Sequence, residues 1–558
     1  MSNPRLSVVS HTVAAGMLAT VVACAGDPPA ELVIYGPTWT GEAARPWAEA
    51  VAVRNGEIVA VDDSQNVALL VGEGTEVLVT TGMVMPGFID NHAHFMSGGF
   101  QLASVDLRDA ATPEEFARRV VAYARSLGPG EWILGGDWDH ELWPDAILPQ
   151  RDWIDSLTPD NPVFVTRLDG HMGLANALAL ERAGLTEAAE APSGGLIIRY
   201  PDSRRLTGLL KDNAMDVMWS AIPAASDSQQ DSALARAMRH AAELGVTMVT
   251  EMNGSWGNRA AYQRARADGR LTLRVALFHN LADWRGLADT IAEYGPGDEW
   301  LRLQGVKGFV DGSLGSTTAA FDDPYTDDPS TPGTMVVSED NLRRSLGAAD
   351  SAGLQFAIHA IGDRANGLLL DVLDSLATAH GVRDRRWRIE HAQHLRSADF
   401  ERIARLGVIA SMQPYHAIDD GRWAEKRIGP ERIKTTYAFR SLLDADAFLT
   451  FGSDWTVAPL DPLLGIYAAV TRRTIDGANP DGWVPEQKVS VEDALRAYTA
   501  TNAYAVFLEH RLGRLMPGYA ADIVVLDRSL LEIPPESLDQ VRVEATIVGG
   551  RVVYRRGS

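Results

Sequence analysis

The stretch Met-Val-Met-Pro-Gly-Phe-Ile-Asp-Asn-His-Ala-His-Phe, residues 83–95, is an apolar run that closes on two histidines one residue apart, His92 and His94. Alternate side chains of a β-strand share a face, so both imidazoles turn toward one point if the strand continues through them. One point served by two imidazoles suits a metal. Taken alone, such a pair is as readily structural. What weighs against that is the rest of the chain, where further β-type runs end at Lys307, His359, His391 and Asp454, each followed by a turn or helix signal.

Working outward, the centre of the chain alternates short apolar strands with helical stretches, a pattern that calls for parallel strands joined by crossover helices. Eight strands are expected, over Val84–Asn91, Val246–Thr250, Thr272–Phe278, Gln304–Val310, Gln355–His359, Arg386–His391, Val408–Met412 and Ala447–Asp454. Helical periodicity lies between them, over Ser232–Leu244, Glu339–Ala352, Ala365–His380 and Ser397–Leu406. This is the content of an α/β fold of the (β/α)8 TIM-barrel type, whose active sites sit at the C-terminal ends of the strands, where the candidate residues fall. The barrel is expected over residues 82–512, with an insertion at about 98–228 that breaks the alternation and lies on the catalytic face. The insertion's tryptophans, Trp132, Trp138, Trp143 and Trp153, suit either an apolar substrate wall or a small core of its own. Both chain ends, 31–81 and 513–558, read as short strands and turns, with Asn55-Gly56 as a hairpin turn, and are expected to assemble one small β-sandwich domain.

The 558 residues carry a formal charge of −23, which argues against duplex nucleic acid or an anionic bilayer surface as partner. Cys24 is the single cysteine, so neither an internal disulfide nor a cysteine-based zinc site is available. Residues 1–23 resemble a bacterial lipoprotein signal, with Cys24 becoming the lipidated first residue; an ordinary secretory signal or a disordered leader is the alternative. The expected location is therefore the cell envelope, with membrane contact only through that anchor. No later stretch is long and apolar enough to span a bilayer.

Borderline Lewis acids such as zinc take neutral imidazole and carboxylate, and four histidines and an aspartate supply both. Lys307 is the odd member, since an ammonium would be repelled by metal cations. A desolvated lysine favours its neutral amine, which can add carbon dioxide and become a carbamate, an anionic oxygen ligand.

These motifs, namely Pro86 to His94, Lys307 to Ser316, His359 to Ala365, Arg388 to Gln393, Phe451 to Trp455 and Gly518 to Asp527, resemble in order the amidohydrolase superfamily. The resemblance is to its amidohydrolase family 3 branch, which includes N-substituted formamide deformylase-like proteins, and it runs from about Glu31 to the end. It implies that His92 and His94 hold the more buried of two divalent metals, expected to be zinc. Carboxylated Lys307 would bridge, His359 and His391 would hold the second metal, and Asp454 would touch the metal and move the proton. A metal-activated water would then attack the carbonyl of a small-molecule amide, N-acyl or N-formyl substrate. An esterase, lactonase or carbamate hydrolase on the same site, and a non-catalytic exported binding lipoprotein, are the rival readings. A homodimer is left open.

Departures from the family are informative. Where members often carry an arginine after the lysine strand, this chain reads Gly315-Ser316-Thr317-Thr318, and the cysteine bridge of D-aminoacylase relatives has no counterpart. His171 resembles a family element that reaches the substrate, the alternative being a turn-capping histidine. Asp311 and Ser313 are expected to line the substrate loop, though both are also turn formers. His394 is placed behind His391, and His140, His279, His416 and His510 are counted as ordinary.

Overall fold

The computed structural model describes residues 28–557; the expected leader and Cys24 lie outside them. At its centre is a parallel eight-stranded sheet. Its strands are β1 (Phe88–Ala93), β2 (Val246–Gly254), β3 (Arg274–Asn280), β4 (Leu301–Phe309), β5 (Gln355–Ala360), β6 (Arg388–His391), β7 (Ile409–Met412) and β8 (Phe448–Phe451). Each pairs in parallel with the next, from β1 through β8. Six of the eight, β1, β2, β3, β5, β6 and β7, are buried along nearly their whole length because both faces are covered, one by helices and one by the barrel interior. The crossover helices include Asp227–Glu243, Glu339–Ser351, Asp363–His380 and Asp399–Leu406. The first begins five residues before the expected Ser232, because Ser226 and Gln229 form a reciprocal capping box.

Ring closure between β8 and β1 uses no regular ladder. Just beyond the strands, the amide of Asp454 donates to the His92 carbonyl at 2.7 Å and that of His94 to the Trp455 carbonyl at 2.6 Å. Buried Asn502 donates from its side chain to the carbonyls of Ile89 at 2.5 Å and Phe451 at 2.7 Å, tying the two strands lower down.

The expected strand Val84–Asn91 divides. Met83–Pro86 pairs antiparallel with Ile523–Leu526 in a different sheet, and Phe88 opens β1. Gly87 is the joint: a Cβ there would lie 2.2 Å from Thr247, so a larger residue would push β1 off β2. Strands of both chain ends pair into a single eight-stranded sheet; the Met83–Pro86 pairing joins the N-terminal and C-terminal groups. Asn55 and Gly56, at φ 52° and 77°, make the hairpin turn that the sequence signals.

Between β1 and β2 the chain forms a six-stranded sheet, running from Val105–Asp106 to Leu206–Asp212. Trp138 and Trp143 are buried in its own apolar cluster, and their indole N–H groups donate to the carbonyls of Val165 and Ala110. These tryptophans build a core and leave the substrate wall to other residues.

Candidate metal centre

Five of the six expected ligands sit at or just past strand ends on the C-terminal side of the barrel, and Lys307 lies in β4 two residues before its end. His92 is in β1, His94 follows it, His359 is in β5, His391 ends β6, and Asp454 lies three residues past β8. The structure brings them together. Asp454 Oδ1 stands 3.3 Å from His92 Nε2 and 3.3 Å from His94 Nε2, and its Oδ2 is 3.8 Å from His391 Nδ1. The His391 ring lies 5.0 Å from that of His92 and 4.6 Å from that of His359. His391 and Asp454 adopt left-handed backbone conformations, φ 74° and 58°, which turn their side chains inward. Such conformations cost non-glycine residues about 1–3 kcal/mol each and collect at functional sites.

The donor set fits a cation. His92 Nε2 and Asp454 Oδ1 face one another, yet neither has a hydrogen-bond partner although both atoms are buried. Buried polar atoms are rarely left so. One ligand atom each from His92, His391 and Asp454 falls within 4.8 Å of the others. The tautomers also agree. His92 Nδ1 faces Glu390 Oε2 at 2.5 Å, His359 Nε2 faces the Gly312 carbonyl at 3.0 Å, and His391 Nδ1 faces Gln413 Oε1 at 2.8 Å. Each of these acceptors takes a ring N–H and leaves the other nitrogen with its lone pair. Burial drives His359 and His391 far below the ordinary histidine range, so both are neutral imidazoles. Burial works against the charge on Asp454 as well, but the histidines around it prevail and hold its carboxyl well below the usual range.

Lys307 is 1% exposed. Its ammonium lies 4.5 Å from the centre of the Phe309 ring, and among the described residues it forms no hydrogen bond or ion pair. Burial brings it down to about 8, against the pull of Glu390 and Asp454. Roughly a tenth of such a lysine is free amine at pH 7.

Behind the ligands stands Glu390, to which the sequence reading gave no role. Besides His92, it accepts from Arg388 Nε at 2.7 Å and Ser411 Oγ at 2.7 Å. The signal was present: Arg-Ile-Glu-His puts Arg388 and Glu390 on one face of a buried strand, where an isolated charge is too costly to leave unpaired. Gln413 and Asp212 were missed too, since each acts only through a histidine distant in sequence.

His171 reaches the centre from the insertion. Its Nδ1 is 2.7 Å from Asp212 Oδ1 and its ring 5.0 Å from that of His359. Ser313 lines the same cleft, with its hydroxyl donating to Asp169 at 2.5 Å and accepting the Ser316 amide at 3.0 Å. Asp311 departs from expectation. It is fully buried, and its carboxylate accepts the amides of Ala320, Ile361 and Gly362 at 2.8, 3.0 and 2.8 Å, so it ties the loop to the end of β5 and does not line the cleft. His394 faces Thr436 Oγ1 at 2.7 Å, behind the ligands as expected. His416, counted as ordinary, lines the cleft with its ring 6.4 Å from that of His391 and its buried Nε2 unpartnered.

Gly452 lets β8 approach β1. A Cβ at this position would lie 2.5 Å from the His92 amide nitrogen and 2.8 Å from Asp90 Oδ1, which itself accepts that amide at 2.9 Å. Gly452→Ala is therefore expected to cost about 1–3 kcal/mol in chemical denaturation, the usual penalty for overpacking, and to weaken metal retention. Unaltered stability and metal content would remove this close approach as a requirement.

Fold and site together define a (β/α)8 barrel with a cluster of side chains able to hold a metal at the C-terminal mouth. The chain belongs to the amidohydrolase family, whose model matches residues 80–554. It is 41% identical to the protein LONG AFTER FAR-RED 3 of Arabidopsis thaliana, over 94% of this chain and 91% of that one. It is 27% identical to an N-substituted formamide deformylase of Arthrobacter pascens, over 94% and 98%. Among solved structures, an uncharacterized metal-dependent hydrolase of Pyrococcus horikoshii superposes with a TM-score of 0.73 at 30% identity, covering 90% of this chain and 99% of that one.

Proposed function

We propose that the protein hydrolyses a C–N bond other than a peptide bond in a small amide, N-acyl or N-formyl compound. The observation that carries this reading is the pair of buried, unpartnered ligand atoms on His92 and Asp454, with His94 and His391 beside them. His92, His94 and Asp454 would hold one zinc ion, and His359 and His391 a second. Lys307 would lie between the two as a carbamate, formed when its free amine adds carbon dioxide and releases a proton. The name of the Arthrobacter relative supports an N-formyl or similar amide as substrate.

The bound metal would polarise the scissile carbonyl and lower the pKa of water. The remaining work falls to the chain. Asp454, ionised at neutral pH, accepts a proton from the attacking water and delivers it to the leaving nitrogen, which departs as a neutral amine. Burial opposes a charge on His171, but Asp212 prevails and raises its pKa, so that as an imidazolium it donates Nδ1–H to Asp212 and can donate its other N–H to the acyl oxygen. Glu390 and Gln413 keep His92 and His391 in their ligating tautomers.

Dialysis against a chelator should abolish turnover of an N-formyl amine, and re-addition of zinc should restore it. Full activity in rigorously metal-free protein would overturn the proposal.

A further inference from the structure

The outer wall of the cleft, away from the clustered ligands, has a chemistry of its own. Gln393 is 3% exposed and lines this wall. Its amide orientation is fixed, because Nε2 donates to Asp420 Oδ2 at 2.9 Å and faces His394 Nε2 at 3.1 Å. Oε1 is therefore the acceptor, and among the described residues nothing donates to it. Asp420 lines the same wall. Its Oδ2 receives the Tyr437 hydroxyl at 2.6 Å as well as the Gln393 amide, and Oδ1 is left without a donor. Two adjoining acceptors thus lack hydrogen-bond donors at the edge of a cleft.

The cations show the converse. Arg167 is the one lysine or arginine among the described residues that line the cleft, and all three of its guanidinium nitrogens are engaged. Nη1 donates to Asp169 at 2.7 Å, Nη2 to Asp139 at 3.0 Å and Nε to His140 at 3.3 Å. Its guanidinium also packs on Gly315, where a Cβ would come within 2.2 Å of Nη1. An arginine therefore does stand beside the loop that lacks one in sequence, but two carboxylates already hold it. Asp419, next along the wall, is paired with Arg422. The wall offers free acceptors and no free cation; the unpartnered N–H of Trp423 and Nε2 of His416 are both buried and uncharged.

Resting on the hydrolytic reading above, we infer that the arm of the substrate beyond the scissile amide carries an ammonium, amine or hydroxyl received by Asp420 and Gln393, and that an arm ending in an anion is rejected. A donor from the ligand satisfies both acceptors at once. An anion would meet Asp419, Asp420 and Asp169 with no cation released to balance it. Burial holds the Asp420 carboxyl up to about 7, and an arriving ammonium would favour its charged form.

The test compares three N-formyl amines of similar length in zinc-loaded protein: N-formylputrescine, which ends in an ammonium, N-formylpentylamine, which is apolar, and N-formylhomotaurine, which ends in a sulfonate. The ammonium compound is expected to have the highest kcat/KM and the sulfonate the lowest, at least about tenfold apart. In Asp420→Asn the ratio of ammonium to apolar substrate should fall by about tenfold, with the apolar compound reporting folding and loading in both proteins. Calorimetric binding of pentylammonium against pentanesulfonate examines the wall without turnover, and pentylammonium should bind more tightly and lose that advantage in the variant. A sulfonate arm used as well as an ammonium arm, or a ratio unmoved by Asp420→Asn, would overturn this inference and leave the hydrolytic reading standing. If no formamide is turned over while pentylammonium still binds selectively, the hydrolytic reading fails and the acceptor wall survives.

Discussion

Asp454→Asn is expected to lower kcat by about a hundredfold to ten-thousandfold, the range associated with loss of a positioned proton-transfer group. The amide is nearly the same size and keeps a carbonyl oxygen for the cation, so metal content should fall much less than turnover. In the proposed reaction, what disappears is the capacity to take a proton from water and return it to nitrogen. The charge matters separately, because His92, His94 and His391 surround this carboxylate and replacing it leaves them facing a neutral group. Steady-state kinetics with metal content measured on the same samples separates the two effects. Equal loss of metal and activity would reduce Asp454 to a ligand, and undiminished turnover would dismiss it from the chemistry.

The second large effect is expected at a residue that touches neither metal nor substrate. Glu390→Gln replaces the carboxylate shared by His92 Nδ1, Arg388 Nε and Ser411 Oγ. Arg388 is fully buried, so it would be left as an uncompensated charge, a loss of about 3–5 kcal/mol. The amide keeps one acceptor oxygen where the carboxylate supplied two, so either His92 or Arg388 would face an NH2 group, and metal affinity should drop by roughly ten- to a hundredfold. The pH dependence has a definite sign. Burial alone would raise the Glu390 carboxyl, but Arg388 and then His92 hold it well below its ordinary value. Its stabilising contribution is therefore complete above the unfolded value, about 4.3, and fades as the pH falls below that. Denaturation midpoints measured from neutral to acidic pH should converge for wild type and variant. Parallel curves would assign the stability to some other group.

How much of this was legible in the sequence follows from what each signal depends on. Barrel strands announce themselves because both of their faces are covered, so Gln355–Ala360 and Ile409–Met412 read as short, mostly apolar runs. The candidate ligands stood out for the complementary reason, since His359 and Asp454 are polar residues placed where such runs stop. Division of the first run at Gly87 was not legible, because Met83–Pro86 is as apolar as β1 and only its partner, over 430 residues away, assigns it to another sheet. Asp311 misled because a carboxylate in a glycine- and serine-rich loop looks the same whether it meets a ligand or three backbone amides. The acceptor wall was hidden as well. Gln393 and Asp420 are unremarkable apart, and only the geometry that engages Gln393 Nε2 shows which of their oxygens are left over.

The seam between first and last strands has one more consequence. Because amides of Asp454 and His94 complete the ring, the act of shutting the cylinder is also what gathers imidazole and carboxylate into one place. A chain that has not shut has no pocket for an ion, and an ion once seated works as a buckle across the joint. Stripping it should let this joint breathe ahead of the opposite wall, so deuterium uptake at Asp454 and His94 would mark where the molecule begins to come undone.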